Sequence, residues 1–339
     1  MGKKNRNLKN NNFKNKKELP FVSVCTPTFN RRPFFSAIIK CFEWQDYPKD
    51  KIEWIIIDDG TDKIEDLVSH IPQVRYFSYE DQMTLGKKRN ISNREAKGDI
   101  IVYMDDDDYY SPTRVSHAVH MLKLHPKALC AGGSKQLIYF KHIDQMYQLG
   151  PYNDNHGTAG TFAFRKELLN ITSFQDNAAL AEERHFLKNF TVPFVQLDYK
   201  QTSVMFSHRH NTYDKKEMLE NPNPQTTKPI DIKLSSIIKD EELYNFYFNE
   251  IEPLLENYSP GEPTMKPEVL RQQKEMKEMR DKQKPTITAK LPNGEIKTYT
   301  MDDMIEIMNS KERQINYLTQ ELHKKCTEID DLKKQIKTT

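Results

Sequence analysis

Four consecutive aspartates, Asp105–Asp108, follow directly on the apolar run Ile100–Met104, and Asp58-Asp59 closes a second apolar run, Ile52–Ile57. Carboxylates crowded this closely repel one another unless a cation stands among them. Hard oxygen ligands of this kind select Mg²⁺ or Mn²⁺, which commonly bridge to a substrate's phosphates. Each cluster ends an apolar segment, and in open α/β sheets the carboxyl ends of the strands are where ligands bind. Taken alone, four aspartates read as a solvated acidic turn. The strand before them and Tyr109-Tyr110-Ser111-Pro112 after them favour a site. Gly86–Asn90 (GKKRN) opens a helix whose N-terminus and cations suit a diphosphate, although alone it is equally a solvated basic turn.

These residues need a scaffold that brings two strand ends together. Phe21–Cys25, Ile52–Ile57, Val74–Tyr79 and Ile100–Met104 read as strands, and Phe34–Trp44, Ile64–His70 and Leu85–Ala96 as helices between them. Runs apolar on both faces suit buried parallel strands, and the alternation predicts an α/β domain with a mostly parallel sheet. After Thr113 the order loosens: a helix to Leu124, strands near 135–140 and 146–149, a strand-to-helix step over 161–170, and a helix over 182–190. The compact domain is expected to close near Asp214. Ile230–Tyr258 and Lys266–Lys284 read as helices, and Thr286–Thr300 alternates around Asn293-Gly294, a strong hairpin signal.

Composition removes several classes. The 339 residues hold 51 Lys+Arg against 49 Asp+Glu, a formal charge of +2. Met1–Glu18 alone carries +6, which leaves −4 on the rest, and a slightly acidic body argues against a nucleic-acid binder. Glycine is scarce, 11 in all, and neither GxGxxG nor GxxxxGK[ST] occurs. Apolar runs fall far short of the ~18 residues needed to span a bilayer, and the N-terminus has no signal-peptide pattern, so a cytoplasmic location is expected. The four cysteines, without a CxxC pair and mostly in apolar surroundings, read as buried reduced thiols.

Together, Pro27-Thr28-Phe29-Asn30, Asp58-Asp59-Gly60-Thr61, Gly86-x-x-Arg89-Asn90, Ala96-x-Gly98-Asp99 and Asp105-x-Asp107-Asp108 resemble the family 2 glycosyltransferases of GT-A fold, in order and spacing. The resemblance is specific over Phe21–Ser111, weaker to about Asp214, and covers nothing beyond. It implies that Pro27 and Thr28 line a nucleotide-base pocket, that Asp58 contacts the base with Asp59 in support, and that Arg89 holds the nucleotide. Asp105 and Asp107 would form the DxD pair, Asp105 and Asp106 on the nucleotide-sugar side and Asp107 on the metal, Mn²⁺ or Mg²⁺. Inverting members carry a carboxylate base at the start of a helix after the acceptor strand; Glu182 and Glu183 stand at that place. Glu183 matches it with Glu for the usual Asp, which leaves the choice between the two open. His208, with His210 as the alternative, would add a metal ligand, and Gly157–Gly160 would border the acceptor pocket.

The organisation expected is therefore an α/β chain: a disordered basic arm (1–19), a GT-A domain with a Rossmann-like mixed sheet (20–215), a linker and helical region (216–285), a small β-hairpin (286–300) and a C-terminal coiled coil (301–337). In the last segment Met301, Met308, Ile315, Leu322, Ile329 and Ile336 recur every seven residues, with Met304, Leu318 and Leu332 in the second seam position. The reading is a metal-dependent, inverting glycosyltransferase that takes a UDP-sugar, acts on an unidentified glycan, protein or lipid acceptor, binds no nucleic acid and forms a homo-oligomer through the coil. The alternative is an inactive GT-A-like scaffold that assembles through that coil. A nucleotidyltransferase would show a glycine-rich first turn, and Thr26–Pro33 contains no glycine.

Overall fold

The computed structural model describes residues 19–338 apart from positions 213, 221, 284, 285 and 292. The basic arm expected over 1–19 lies outside the described residues except for Leu19. The chain divides into two compact units, Met1–Gln273 and Lys274–Thr339.

In the first unit β1 (Val22–Thr28), β2 (Ile52–Asp58), β3 (Val74–Ser78) and β4 (Ile100–Tyr103) run parallel. They are followed along the chain by β5 (Tyr109–Tyr110), β6 (Cys130–Gly132), β7 (Gln136–Phe140), β8 (Gln145–Leu149), β9 (Ala163–Arg165), β10 (Phe194–Gln196), β11 (Ser203–Ser207) and β12 (Thr227–Pro229). The main sheet is mixed, in the order β10-β6-β9-β4-β1-β2-β3, with β9 antiparallel to both its neighbours. A second sheet runs β12-β8-β7-β11-β5.

The continuously apolar run of β2 is explained by its two faces. Trp54 and Ile56 join one core with Val22, Val24 and Phe42, whereas Ile55 and Ile57 join the other with Cys25 and Tyr103. A strand covered on both sides has no polar face to display. Helix Phe35–Glu43 covers the first face, and the Phe42 ring stacks on Trp54 at 4.6 Å. Register then does the positioning: Thr28 pairs with Asp58 and Cys25 with Tyr103, so the ends of β1, β2 and β4 share one edge. Both acidic clusters leave the sheet there.

The first unit runs past Asp214 to Gln273, and the helical segments over 234–256 pack into its core. Leu234, Ile238, Leu243, Phe246, Ile251 and Leu255 are buried in the main core. Tyr247 stacks on Phe206 at 4.2 Å and its hydroxyl donates to the Asp108 carbonyl at 2.8 Å. The partners of these residues lie far away in sequence, so local spacing showed only a helix. That helix is also interrupted: Leu234–Ile237 and Glu241–Asn245 are separate, and a π-turn over Phe246–Glu250 leads into Ile251–Glu256. The helix expected over 182–190 is confined to Glu183–Phe186, because Lys188, Asn189 and Phe190 take left-handed φ of 50°, 54° and 64°. Cys25, Cys41 and Cys130 are buried and reduced, but Cys326 is exposed.

In the second unit β13 (Thr286–Lys290) and β14 (Ile296–Thr300) form the hairpin, with Gly294 at φ 86° in its turn. Helix Met301–Thr338 starts at a reciprocal cap: the Thr300 backbone N–H donates to Asp303 Oδ2 at 2.7 Å, and the Asp303 N–H donates to Thr300 Oγ1 at 3.2 Å. Met308, Ile315, Leu318, Leu322 and Ile329 are exposed along it, and Leu332 and Ile336 lie outside the residues whose side chains are described. Among the described residues no helix is long and apolar enough to cross a membrane.

Candidate active site

A cavity of about 400 Å³ opens at the shared strand edge, with Pro27, Asp105, Asp106 and Asp107 in its wall. Phe29, Arg31, Lys88, Lys266 and Glu268 complete its charged and aromatic lining. The remaining expected site residues stand behind this wall or beside it.

The Asp58 carboxylate is turned into its own loop. It accepts hydrogen bonds from Gly60 N at 2.8 Å, Ile64 N at 3.2 Å and Tyr76 Oη at 2.6 Å, and it does not line the cavity. Asp59 accepts from Met83 N at 2.6 Å and from Lys88 Nζ at 2.7 Å, which fixes two residues of the cavity wall. Thr28 is buried, its carbonyl accepts from Lys88 Nζ at 3.1 Å, and its side chain lies against Asp106, whose charged form it favours.

Arg89, 1% exposed, links the acidic cluster to the candidate base. Its Nε donates to Glu182 at 3.0 Å and its Nη2 to Asp105 at 3.2 Å, with the guanidinium 4.5 Å above the Tyr103 ring. Burial works against the Arg89 charge, but Asp105 and Glu182 more than reverse that effect. Asp105 also needs room: a Cβ on Gly160 would stand 2.5 Å from its Oδ2, so glycine at 160 leaves the carboxylate its position. Glu183, half-buried next to Glu182, forms no ion pair among the described residues. Burial and then the Glu182 charge push its carboxyl up to about 7. The residue before the pair, Ala181, holds a left-handed φ of 53°, a conformation that costs a non-glycine roughly 1–2 kcal/mol.

Arg31 approaches Asp106 at 3.7 Å and Asp107 at 3.8 Å, and donates to the His210 carbonyl at 2.6 Å. Burial lifts the Asp106 carboxyl to about 6, with Arg31 opposing and Asp107 adding to the rise. Asp107 goes the other way: burial is outweighed by the His208 hydrogen bond and by the charges of Lys215 and Arg31. His208 Nε2 lies 3.3 Å from Asp107 Oδ2, and burial lowers its imidazole to about 3, so it is neutral. His210 is buried, its ring 6.2 Å from that of Tyr258, and burial lowers its imidazole to about 4 against a hydrogen bond with the Leu255 backbone.

His208 Nδ1 accepts from the His210 N–H at 3.2 Å, so the neutral ring carries its proton on Nε2 toward Asp107 Oδ2. That proton would have to leave for the pair, 3.3 Å apart, to take adjacent positions of a divalent-cation shell. No group of three or more His, Cys, Asp or Glu forms a full cage among the described residues, which leaves positions for phosphate oxygens and water. Arg31, Lys88 and Lys266 had no role assigned from sequence. Lys88 lies in the GKKRN segment already noted for its cations, and Arg31 in the turn just after the Pro27–Asn30 motif. Lys266 reaches the cavity from beyond any local signal.

The model of the family described as Glycosyl transferase family 2 matches residues 23–171. The chain carries a family 2 glycosyl transferase domain. That domain holds the shared ends of β1, β2 and β4, the aspartates and Arg89. Among relatives, poly(ribitol-phosphate) beta-N-acetylglucosaminyltransferase TarS of Staphylococcus aureus is 26% identical over 108 residues, 30% of this chain and 19% of TarS. UDP-Glc:alpha-D-GlcNAc-diphosphoundecaprenol beta-1,3-glucosyltransferase WfaP of Escherichia coli is 29% identical over 108 residues, 31% of this chain and 42% of WfaP. The chain thus spans less than half the length of these relatives. Among solved structures, mannosyltransferase PcManGT of Pyrobaculum calidifontis, in complex with GDP-Man and Mn²⁺, aligns with 62% of this chain and 67% of its own, at 16% identity and a TM-score of 0.47.

Proposed function

We propose that the chain transfers a sugar from a nucleotide-diphosphate donor to an acceptor hydroxyl, in a metal-dependent, inverting reaction. The observation that carries this is the meeting of Asp105, Asp106 and Asp107 with Arg31, Lys88 and Lys266 around one cavity at the carboxyl edge of a family 2 domain. A base and sugar need a concave wall, and a diphosphate needs cations. UDP-sugars are the donors to try first, since WfaP is named for UDP-Glc.

In this account Pro27 lines the base pocket, while Asp58 and Asp59 hold the loops behind it. Asp105 and Asp106 face the donor, and Arg89 keeps Asp105 and Glu182 in fixed relation. Glu183 is the base, because Glu182 is committed to Arg89 whereas Glu183 has a raised carboxyl suited to taking a proton near neutral pH. A Glu183 carboxylate oxygen takes the acceptor's hydroxyl proton as that oxygen bonds the anomeric carbon. The bond from that carbon to the diphosphate breaks, and its electron pair leaves with the nucleotide. With Mn²⁺ or Mg²⁺ held by Asp107 and His208, the charge on the departing diphosphate is neutralised. The exposed seven-residue stripe on Met301–Thr338 would pair with a second copy of the chain.

Calorimetric titration of UDP and GDP with and without Mn²⁺ tests the site. Wild type should bind one of them in a metal-dependent way, and Asp107→Asn should lose the metal dependence with an unchanged melting temperature. An unchanged metal dependence in Asp107→Asn overturns the assignment.

A further inference from the structure

The cavity is not closed by the family 2 segment alone. Ser259–Gln273, nearly ninety residues past its end, lies across it and is tied down at both ends. Asn30 Nδ2 donates to the Pro260 carbonyl at 2.8 Å and Arg31 Nη1 to the Gly261 carbonyl at 3.1 Å. Gly261 sits so close that a Cβ there would stand 2.6 Å from the Asn30 carbonyl oxygen. Farther along, Gln82 Nε2 donates to the Met265 carbonyl at 3.0 Å, and Gln272 donates to the Asn177 carbonyl at 2.7 Å and accepts from Ala179 N at 2.9 Å. A segment held to three separate loops of the first unit is part of the cavity wall.

Lys266 is the cation this segment delivers. Its Nζ and that of Lys88 stand 5.8 Å from the centroid of the same Phe29 ring, so the two ammonium groups share one stretch of wall. Lys88 is neutralised by Asp59 at 2.7 Å, and Arg31 by Asp106 and Asp107. Lys266 forms no ion pair among the described residues; its Nζ donates to Thr212 Oγ1 at 3.1 Å. Burial and the nearby Arg31 charge pull it down to about 7, against the pull of Asp106. A buried lysine whose Nζ is held only by a hydroxyl, on a wall shared with Lys88, is favoured in its charged form when an anion enters the cavity beside it.

We propose that Lys266, carried by the Ser259–Gln273 strap, binds the diphosphate of the donor, so that the donor site is built jointly by the family 2 domain and by a segment outside it. This rests on the donor reading above. The requirement it adds is specific: the diphosphate, and not the base, depends on Lys266.

The test uses the full chain with Lys266→Gln and Lys266→Arg, and four probes: UDP and GDP with Mn²⁺ by calorimetry, uridine and guanosine by ligand-observed NMR. Lys266→Gln should weaken the diphosphate that wild type binds by at least tenfold and the matching nucleoside by less than threefold, and Lys266→Arg should restore the diphosphate to within threefold of wild type. Equal losses for diphosphate and nucleoside would make Lys266 structural and overturn the proposal. So would diphosphate binding that is unchanged in Lys266→Gln, or tighter, as a blocking strap would give. A wild type that binds none of the four probes, and no dTDP with Mn²⁺, overturns the donor reading itself, and this assignment with it.

Discussion

Replacing Arg89 with methionine keeps most of the side-chain volume and removes the charge. The guanidinium is 1% exposed and serves two carboxylates, Glu182 at 3.0 Å and Asp105 at 3.2 Å. Glu182 is itself buried, so the variant strands a carboxylate away from water. Breaking a buried pair by deleting one partner costs about 3–5 kcal/mol, and the lost contact over Tyr103 adds about 1 kcal/mol. A loss of about 4 kcal/mol is a large share of the roughly 5–15 kcal/mol that holds a domain folded. With a urea slope of roughly 3 kcal/mol/M, the midpoint should fall by more than 1 M. Both tryptophans, Trp44 and Trp54, lie in the first unit, so their fluorescence reports on that unit. The double variant Arg89→Met with Glu182→Gln should recover more than 1 kcal/mol, because it neutralises the stranded acid. A loss under about 1 kcal/mol, or no recovery in the double variant, would refute the bridge.

Other expectations follow from the same geometry. Glu183→Gln should lower turnover by roughly 10²–10⁴-fold, and the wild-type rate should rise with pH through about 7, where burial and Glu182 place the Glu183 carboxyl. Because that value lies above the ordinary 4.5, the folded state favours the proton, so the stability it contributes below 4.5 is lost as pH rises to 7; Glu183→Gln should gain stability relative to wild type over that window in pH-dependent melts. Tyr247→Ala should destabilise the first unit by about 3–5 kcal/mol in the urea assay, since the ring stacks on Phe206 and is buried; a chain ended at residue 215 that melts like wild type would contradict this. Removing residues 301–339 should reduce the particle mass seen by light scattering to that of one chain, and an unchanged subunit count would refute pairing through the stripe.

The parts of the fold legible in sequence were those written in local pattern. An uninterrupted IEWIII can only be covered on both faces, Asn293-Gly294 specifies a tight turn, and Thr300 with Asp303 specifies a helix start. The acidic clusters were legible because each directly follows such a strand. Long-range pairing was not legible. The apolar residues of 234–255 look like a free helix until Phe206 and Phe34 are seen against Tyr247 and Phe246. Asp58 was expected at the base, but Tyr76 and two backbone N–H groups use its oxygens. Lys266 has no local signature, since its meaning comes from Phe29 and Thr212. The early end of the helix after Phe186 depends on three left-handed residues that are not glycine.

The most direct test of the central claim is nucleotide release by the purified full chain with Mn²⁺ and a panel of UDP-, GDP- and dTDP-sugars, without acceptor. The account predicts slow, Mn²⁺-dependent release from one donor, abolished by Asp107→Asn. Silence across the panel, together with no Mn²⁺-dependent nucleotide binding, would contradict it and favour a scaffold that uses the fold without the chemistry.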